Sequence, residues 1–535
     1  MSAAAATLGA RPAFAVDEWQ PAHSPYLVAL TVTLATFMEV LDTSIANVAL
    51  PHIAGNLSAS VDESTWVLTS YLVSNAIVLP LSGWLSSVFG RKRFYMTCVA
   101  LFTISSALCG FAPNLRMLIF FRVLQGIGGG GLQPSEQAIL YDTFPARKRA
   151  MGMALYGVAV VTAPIIGPTL GGWITDNYSW RWIFFINIPV GIVSLLLTSR
   201  MVSDPPHLVR RALKDTRIDF IGLGLLALGL GALQIVLDKG QREDWFQSSL
   251  IVLLTLTAVV GIASAVIWEL KQREPLVDFR LLSNRNFAIS TVMMFTLGFV
   301  LFGSTVLLPL FLQTLMGYSA VLSGMAISPG GILTMFAMPL VGWMIGHFDA
   351  RKLIVAGLII VSIGLFHMAS FNLEIDFKTA MIARMIQAFG LAFLFVPINT
   401  MAYSTIPKKD ANQASGLINL ARNLGGSFGI AFVTTLLSRQ AQAHQNMLVG
   451  HVTPYDPAYK NMMNQMTTVM HVNSADPVKA TAQAHGVING MLERQASMLS
   501  FVDAFWLLGA FAVVVIPLIV LMKRPTPGAE PVAVH

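Results

Sequence analysis

Apolar runs of about 20 residues, the length that lets a helix cross the hydrocarbon core of a bilayer, recur along almost the whole chain. The runs are continuously apolar, whereas membrane barrel strands alternate between apolar and polar residues, so helices are predicted. The chain is therefore expected to be an all-α polytopic membrane protein. Fourteen runs meet this description, at residues 26–50, 64–86, 94–112, 116–140, 150–174, 182–200, 218–237, 249–269, 287–315, 323–345, 353–371, 378–402, 413–437 and 499–522.

The charged residues follow the pattern of a membrane protein. Only 11% of the 535 residues are charged, against roughly 25% in soluble domains. The net charge of +7 would suit a nucleic-acid partner, but its distribution argues otherwise. With a cytoplasmic N-terminus, 22 of the 34 Lys and Arg residues lie in cytoplasmic segments, nine lie outside and three lie within spans. This asymmetry predicts a multi-pass protein of the inner (plasma) membrane with both termini in the cytoplasm, and it excludes nucleic acid as a partner.

The sequence resembles itself at a spacing of 259 to 262 residues. The Gly-Trp pair at 83–84 recurs at 342–343, and the Arg-x-x-Gln motif at 122–125 recurs at 384–387. This offset maps spans 1–6 onto spans 9–14 and leaves spans 7 and 8 as an insertion. Paired bundles of this kind are a transporter architecture with the substrate site between them. Chance similarity among apolar helices is the alternative.

The repeat and the spans together predict how the chain is divided. The expected segments are a cytoplasmic tail at 1–25, a first six-helix bundle at 26–200, a linker with two extra helices at 201–286, a second six-helix bundle at 287–522 that includes an extracytoplasmic loop at 438–498, and a cytoplasmic tail at 523–535.

Five stretches resemble the conserved motifs of one known family. They are Leu41–Pro51 in span 1, Gly83–Arg93 after span 2, Phe121–Gly128 in span 4, Gly157–Gly172 in span 5, and Trp180–Pro189. Jointly they resemble the major facilitator superfamily, and within it the fourteen-helix drug:proton antiporters of the EmrB/QacA type. The resemblance implies the major facilitator fold, with two six-helix bundles and two inserted helices. The chain departs from the pattern at Ser87, where the family usually has Asp, so an ion pair using that carboxylate is in question.

Ionisable residues inside spans are costly and mark ion pathways by default. Glu39 and Asp42 are three residues apart and share one helix face. At 1.5 Å per residue, Asp42 and Arg122 lie about 12 Å and about 9 Å from the outer ends of their spans. Because the resemblance implies that helices 1 and 4 line the cavity, we expect Asp42 and Glu39 to carry the proton and Arg122 to tune them. The alternative is a static Asp42–Arg122 pair. Glu136 is expected to face Arg147 or Arg149 across a short loop, in a structural role.

The resemblance implies three further sets of residues. The gating loop contributes Gly83, Gly90, Arg91 and Lys92. The antiporter motif of span 5, in which small residues allow close packing and Gly-Pro favours a bend, contributes Gly157, Gly167, Pro168, Gly171 and Gly172, with packing alone as the alternative. The expected ligand contacts come from the cavity-lining helices 1, 4, 9 and 12 and the flanking helices 2, 5, 10 and 13; they are Tyr71, Asn75, Gln125, Tyr156, Phe295, Gln387 and Asn419.

The outer loop from Ser438 to Met498 contains seven Met and four His residues, which raises the question of a soft-metal site. However, Met462, Met463, Met466 and Met470 are spaced as one helical stripe, so packing against the membrane or a partner is favoured over metal binding. The resemblance implies a periplasmic adaptor protein, and with it an outer-membrane channel, as partners of this side.

No motif of an enzyme is present: we find neither a His-Glu-x-x-His sequence nor a phosphate-binding lysine loop, so no cofactor or metal is expected and an ATP-driven pump is disfavoured. A channel is disfavoured because the repeated bundles suit alternating access. The sequence predicts a transporter that exports small amphipathic or hydrophobic compounds in exchange for protons, in contact with membrane lipid. The alternative is an exporter of one endogenous metabolite, such as a lipid or siderophore.

Overall fold

The computed structural model describes residues 22–204, 219–407, 410–473 and 476–523. Both predicted tails, apart from a few residues next to the helices, and the basic stretch at 210–217 lie outside these ranges. The described residues form helices and connecting turns, without a β-strand. The helices of twelve or more residues are α1 (Pro25–Asn56), α2 (Trp66–Phe89), α3 (Arg91–Phe111), α4 (Leu115–Gly129), α5 (Leu132–Thr143), α6 (Arg149–Asn177), α7 (Asn187–Met201), α8 (Phe220–Lys239), α9 (Ser249–Lys271), α10 (Arg285–Thr314), α11 (Ala320–Met344), α12 (Ala350–Ala369), α13 (Phe377–Tyr403), α14 (Ala411–Val449), α15 (Pro457–Asn473) and α16 (Pro477–Val514).

The fourth predicted span is divided into two helices. Thirteen helices within the described residues are long and apolar enough to cross a membrane, and α4 and α5 join end to end as the fourteenth crossing. Gly130 and Gly131 link them. A Cβ atom at Gly130 would lie 2.7 Å from the carbonyl oxygen of Asn75, and one at Gly131 would lie 2.8 Å from the ring of Phe94. Glycine therefore lets α2 and α3 pack directly against this break.

Polar residues at the helix ends fix where several helices begin. The side chains of Asn114, Ser319 and Asp376 accept hydrogen bonds from backbone N–H groups of the first turns of α4, α11 and α13. Such caps satisfy donors that have no partner within the helix. Between α2 and α3 the chain reverses at Gly90, whose φ of 85° is readily adopted only by glycine.

Helices α1–α7 form one bundle, and α10–α14 with α16 form the other. The inserted helices α8 and α9 pack against each other, and α8 also packs against α2. The two bundles meet along α6 with α11 and along α2 with α14. We call the end of the molecule that carries Arg91, Arg149 and Arg351 the basic end, and the other the opposite end.

The predicted outer loop at 438–498 is largely helical, which corrects the expected span boundaries. Helix α14 has 39 residues, about 58 Å at 1.5 Å per residue, and therefore extends well beyond a hydrocarbon core of about 30 Å. Helix α16 begins at Pro477, and α15 packs along it. On α15, Met463, Met466 and Met470 are half-buried whereas Met462 is exposed.

Candidate functional site

Asp42, near the middle of α1, is buried and accepts hydrogen bonds from three side chains. Nη1 of Arg122 lies 2.6 Å from its Oδ2, and Nδ2 of Asn187 and Nε2 of Gln125 lie 2.7 and 3.0 Å from its Oδ1. Nε of Arg122 donates to the carbonyl of Val67 at 2.9 Å. The expected contact between Asp42 and Arg122 is present, and Asn187 is an additional partner that sequence reasoning missed. All three side chains donate to Asp42, and the bond from Arg122 is charge-assisted.

Glu39 lies one helical turn away and is also buried. Its Oε1 accepts from the hydroxyl of Tyr71 at 3.0 Å and from Nδ2 of Asn75 at 3.3 Å. Its Oε2 accepts from Nε2 of Gln133 at 2.5 Å. Oε1 of Gln133 in turn accepts from Arg422, which belongs to α14 of the other bundle. One amide thus links a buried carboxylate of the first bundle to a buried guanidinium of the second.

The bundles are further joined around Gln137 of α5. Its Oε1 accepts from the hydroxyls of Tyr403 and Ser415, both at 2.9 Å, and from Nδ2 of Asn419 at 2.7 Å. Its amide group also donates to Oδ1 of Asn399 at 3.4 Å. These contacts lie in the basic-end halves of the helices. By contrast, α4 packs mainly against α2 and α3 of its own bundle.

Two pairs of equivalent residues meet across the repeat. Gln137 and Asn399 are 262 residues apart, as are Tyr141 and Tyr403. The hydroxyl of Tyr141 donates to the carbonyl of Tyr403 at 3.1 Å, and the ring centroids lie 5.2 Å apart. A pseudo-two-fold axis relates the two halves of the chain. Equivalent residues can touch only where they lie next to that axis, so the axis passes through these two pairs.

The gating-loop residues form contacts within their own helix and with neighbouring helices at the basic end. A Cβ atom at Gly83 would lie 2.9 Å from the α14 backbone, so α2 and α14 touch there. Arg91 is buried, and its Nη1 lies 2.5 Å from Oδ2 of Asp142. Nζ of Lys92 donates to a carbonyl of α7 at 2.7 Å. Ser87, which stands where the family usually has Asp, donates to a carbonyl of its own helix.

The proline of the antiporter motif creates a hydrogen-bonding requirement. Pro168 has no N–H, so the carbonyl of Pro164, four residues earlier, lacks its helical donor. The hydroxyl of Ser44 on α1 donates to that carbonyl at 3.1 Å. The helix remains continuous over Arg149–Asn177 with both prolines inside it.

The glycines of the motif face two different neighbours. Gly167 and Gly171 pack against α1, where a Cβ atom at Gly171 would lie 3.0 Å from Cγ2 of Ile45. Gly157 faces the second bundle, where a Cβ atom would lie 2.8 Å from the ring of Phe395. The motif therefore allows close approach both within its bundle and between bundles.

The second bundle repeats part of the Asp42 site. Nη1 of Arg384 donates to Oε1 of Gln387 at 2.7 Å, as the equivalent pair does in the first bundle. The position equivalent to Asp42 is Ser304, whose hydroxyl lies 3.3 Å from Nη1. Arg384 is fully buried and its Nε has no hydrogen-bond partner. Among the described residues, no carboxylate pairs with it.

The seven predicted ligand contacts are not gathered in one place. Phe295 packs on Phe299, with ring centroids 6.4 Å apart. The other six take part in buried hydrogen bonds, which connect two helices for five of them and lie within α13 for Gln387. By partner, these are Tyr71 and Asn75 with Glu39, Gln125 with Asp42, Gln387 with Arg384, Tyr156 with Arg422, and Asn419 with Gln137.

The expected contact between Glu136 and the basic residues at 147–149 is absent, so that prediction is wrong. Glu136 points towards α1, where the hydroxyl of Thr33 donates to its Oε1 at 2.7 Å. Arg149 instead donates to the carbonyl of Tyr141 at 3.1 Å and lies over its ring. In the part of the chain that the structure describes, no group of three or more His, Cys, Asp and Glu residues is arranged to hold a metal.

Comparison with known proteins identifies the family. A model described as Major Facilitator Superfamily matches residues 32–430. The chain belongs to this superfamily. Among its members, the chain is 37% identical to the multidrug export protein EmrB of Escherichia coli (strain K12), over 95% of this chain and 98% of that protein. It is 38% identical to the fatty acid resistance protein FarB of Neisseria gonorrhoeae, over 93% and 96%.

Solved structures of Major Facilitator Superfamily proteins share the fold. The proton:xylose symporter XylE bound to 6-bromo-6-deoxy-D-glucose superposes with a TM-score of 0.59, at 15% identity, over 92% of this chain and 94% of that chain. At this identity the likeness concerns the fold alone. The expected major facilitator architecture, with two six-helix bundles and two inserted helices, is confirmed.

Proposed function

We propose that this chain is an antiporter that exports small amphipathic or hydrophobic compounds in exchange for protons, by alternating access. Membership of the Major Facilitator Superfamily supports transport, and the names of relatives such as the multidrug export protein EmrB support drug-like substrates. The excess of Lys and Arg on one side supports the inner membrane, with both termini in the cytoplasm. The basic end is then the cytoplasmic end.

The observation that carries the proposal is the link from Glu39 through Gln133 to Arg422. An ionised carboxylate only accepts hydrogen bonds, whereas an amide donates on one side and accepts on the other. Ionised Glu39 therefore turns the oxygen of Gln133 towards Arg422. A proton on the bonded oxygen of Glu39 makes it a hydroxyl, which donates well but accepts only weakly, so its best partner is the amide oxygen of Gln133. The amide then rotates and its oxygen leaves Arg422, so protonation loosens a contact between the bundles.

Asp42 is the main proton-coupling group in this proposal, and Arg122 controls when it is loaded. A guanidinium 2.6 Å away favours the ionised carboxylate, while burial favours the neutral acid. A substrate that moves α1 relative to α4 changes the balance between these two effects. Proton binding at Asp42 and substrate binding in the cavity therefore compete, as antiport requires.

The contacts around Gln137 support a state that is closed at the cytoplasmic end. Each of its three donors comes from the second bundle, and all are buried. In such a state the space between α1, α4, α10 and α13 opens towards the opposite end, which is the side for substrate release and proton entry.

Outside the membrane, we propose that the helical extension of α14, α15 and α16 binds a periplasmic adaptor protein that leads to an outer-membrane channel. The extension supports this because two helices carry it well beyond the bilayer. The adaptor itself is implied by resemblance to the EmrB/QacA group.

Transport by inside-out vesicles tests the function. Vesicles containing the protein, energised with a proton gradient, are given cationic, neutral and anionic compounds in turn, and proton release and compound uptake are measured. Exchange with several unrelated compounds supports multidrug export. Exchange with a single metabolite supports the alternative, to which the likeness to the fatty acid resistance protein FarB lends weight. Uptake without proton movement would contradict antiport.

A further inference from the structure

Arg384 carries a positive charge in the membrane interior that the described residues do not balance. Arginine stays protonated in proteins, and a buried charge without a partner is costly. Its contacts are Oε1 of Gln387 at 2.7 Å and the hydroxyls of Ser304 and Thr305, both at 3.3 Å. None of these groups carries a negative charge. Its Nε remains an unsatisfied donor.

The first bundle gives the reference for this arrangement. There Arg122 has the same glutamine partner and, in addition, Asp42 at 2.6 Å. The residue 80 positions before the arginine is Asp42 in the first bundle and Ser304 in the second. The repeat has thus kept the guanidinium and its amide and replaced the carboxylate with a hydroxyl. Within its described residues, the second bundle thus contains a carboxylate-binding arrangement without its own carboxylate.

The location suits a transported ligand. Arg384 lies seven residues after the first residue of α13, which places it about 10 Å below the opposite end at 1.5 Å per residue. The contacts that join α13 to the first bundle are in its other half, at Asn399 and Tyr403. Thr305, next to the guanidinium, is only half-buried. The site therefore lies away from the contacts that join the two bundles at the basic end.

We propose that Arg384, together with Ser304 and Thr305, binds the carboxylate of an amphipathic organic acid during transport. This inference rests on the proposed export function and defines an anionic class within its substrates. The ligand carboxylate occupies the position that Asp42 occupies beside Arg122. Both hydroxyls accept from the guanidinium, and each can donate to the ligand when it leaves the Leu301 carbonyl to which it now donates. The apolar remainder of the ligand stays among the apolar helices.

Binding to the purified full-length protein tests this proposal without requiring transport. The probes are 11-(dansylamino)undecanoic acid and its methyl ester, which differ in charge but share the fluorophore and chain. The decisive variant is Ser304→Asp, which supplies an internal counter-ion as Asp42 does for Arg122. Ser304→Asn adds similar bulk without charge and is the matched control. Thermal unfolding of each variant checks the fold.

We expect the wild type and Ser304→Asn to bind the acid at least tenfold more tightly than the ester, and Ser304→Asp to lose this preference. Arg384→Gln should lose it as well. Equal affinity of the wild type for acid and ester, or an undiminished preference in folded Ser304→Asp, would overturn the proposal. The wild type should also exchange neutral compounds for protons, a reaction that does not use this carboxylate-binding site. Absence of that exchange in the wild type would instead refute the export function.

Discussion

Tyr141 and Tyr403 occupy the same position in the two halves of the chain and lie against each other, with ring centroids 5.2 Å apart. This contact, with that of Gln137 and Asn399, brings the two halves together at the basic end. Opening that end has to break contacts on the symmetry axis itself. Substitutions of residues around the axis should therefore shift the equilibrium between the open and closed states of the basic end.

Replacing Gln137 with Leu should open the basic end. The leucine is similar in size but accepts no hydrogen bond, so the Tyr403 hydroxyl and one N–H of Asn419 lose their acceptor in the closed state, each at a cost of about 1–3 kcal/mol. The Ser415 hydroxyl keeps the Pro134 carbonyl as an acceptor. Spin labels at Phe89 and Phe348, which are exposed at this end of the two bundles, measure the separation after the two buried cysteines are replaced. A distance distribution identical to that of the parent would contradict this expectation.

Gly83→Val should have a similar effect for a steric reason. Its Cβ atom would meet the α14 backbone at 2.9 Å, and such overpacking costs about 1–3 kcal/mol in the closed state. Gly55→Val is the matched control, because no atom lies within 4 Å of the corresponding Cβ position. The same spin-label pair should report a larger separation for Gly83→Val alone. Equal distances in the two variants would show that the α2–α14 contact does not hold the basic end closed.

Asp42→Asn should abolish substrate-driven proton release while leaving substrate binding in place. Asparagine keeps the size of Asp42 and one of its two acceptor oxygens but does not titrate. Breaking a buried ion pair costs about 3–5 kcal/mol, so lower thermal stability is also expected. Asp142→Asn is the control, because it breaks the buried pair with Arg91 at the basic end. Both variants should be less stable, but only Asp42→Asn should lose the proton signal in a weakly buffered solution containing a pH dye. Normal release from Asp42→Asn would assign Asp42 a structural role.

Glu39→Gln should make the closing of the basic end insensitive to pH. In the wild type, a proton on Glu39 turns Gln133 away from Arg422, so lowering the pH weakens the link between the bundles. Glutamine at position 39 has no such titration. The distance between labels at Phe89 and Phe348 should respond to pH in the parent and not in this variant. An equal response in both would place the pH sensor elsewhere.

Reporter fusions should locate both ends of the chain in the cytoplasm. Fourteen crossings place the termini on the same side, and the Lys and Arg asymmetry assigns that side. A phosphatase that is active only outside the cytoplasm, fused after Arg524, should be inactive, whereas the same reporter in the segment between α14 and α15 should be active. The reverse pattern would overturn the orientation.

The sequence predicted the positions of the spans because continuous apolar runs have few alternative structures in a membrane. It also predicted the contact of Asp42 with Arg122, since scarcity and depth left few partners for either charge. The partners Asn187, Gln133 and Gln137 were missed. Amides carry no charge and are tolerated in many contexts, so their type alone did not separate them from ordinary helix residues.

The offset of the repeat also relates residues that touch across the two halves of the chain. Adding 262 to Gln137 and to Tyr141 gives the residues that each of them contacts, but only the position of the axis reveals which equivalent pairs touch. The extent of α14 and α16 was missed for a different reason. Outside the bilayer their sequences are mixed in polarity, so hydropathy marks the limit of the membrane and not the end of the helix.

Ser44 supplies the hydrogen bond that Pro168 removes from α6, so the stiffness of one helix depends on the position of another. While α1 keeps its place, the Pro164 carbonyl is satisfied and α6 resists bending. If α1 slides by a single residue, the hydroxyl moves about 1.5 Å along the axis and the carbonyl loses its donor. Without that hydrogen bond, α6 bends more easily at Pro168. The flexibility of α6 is thus controlled by the position of α1.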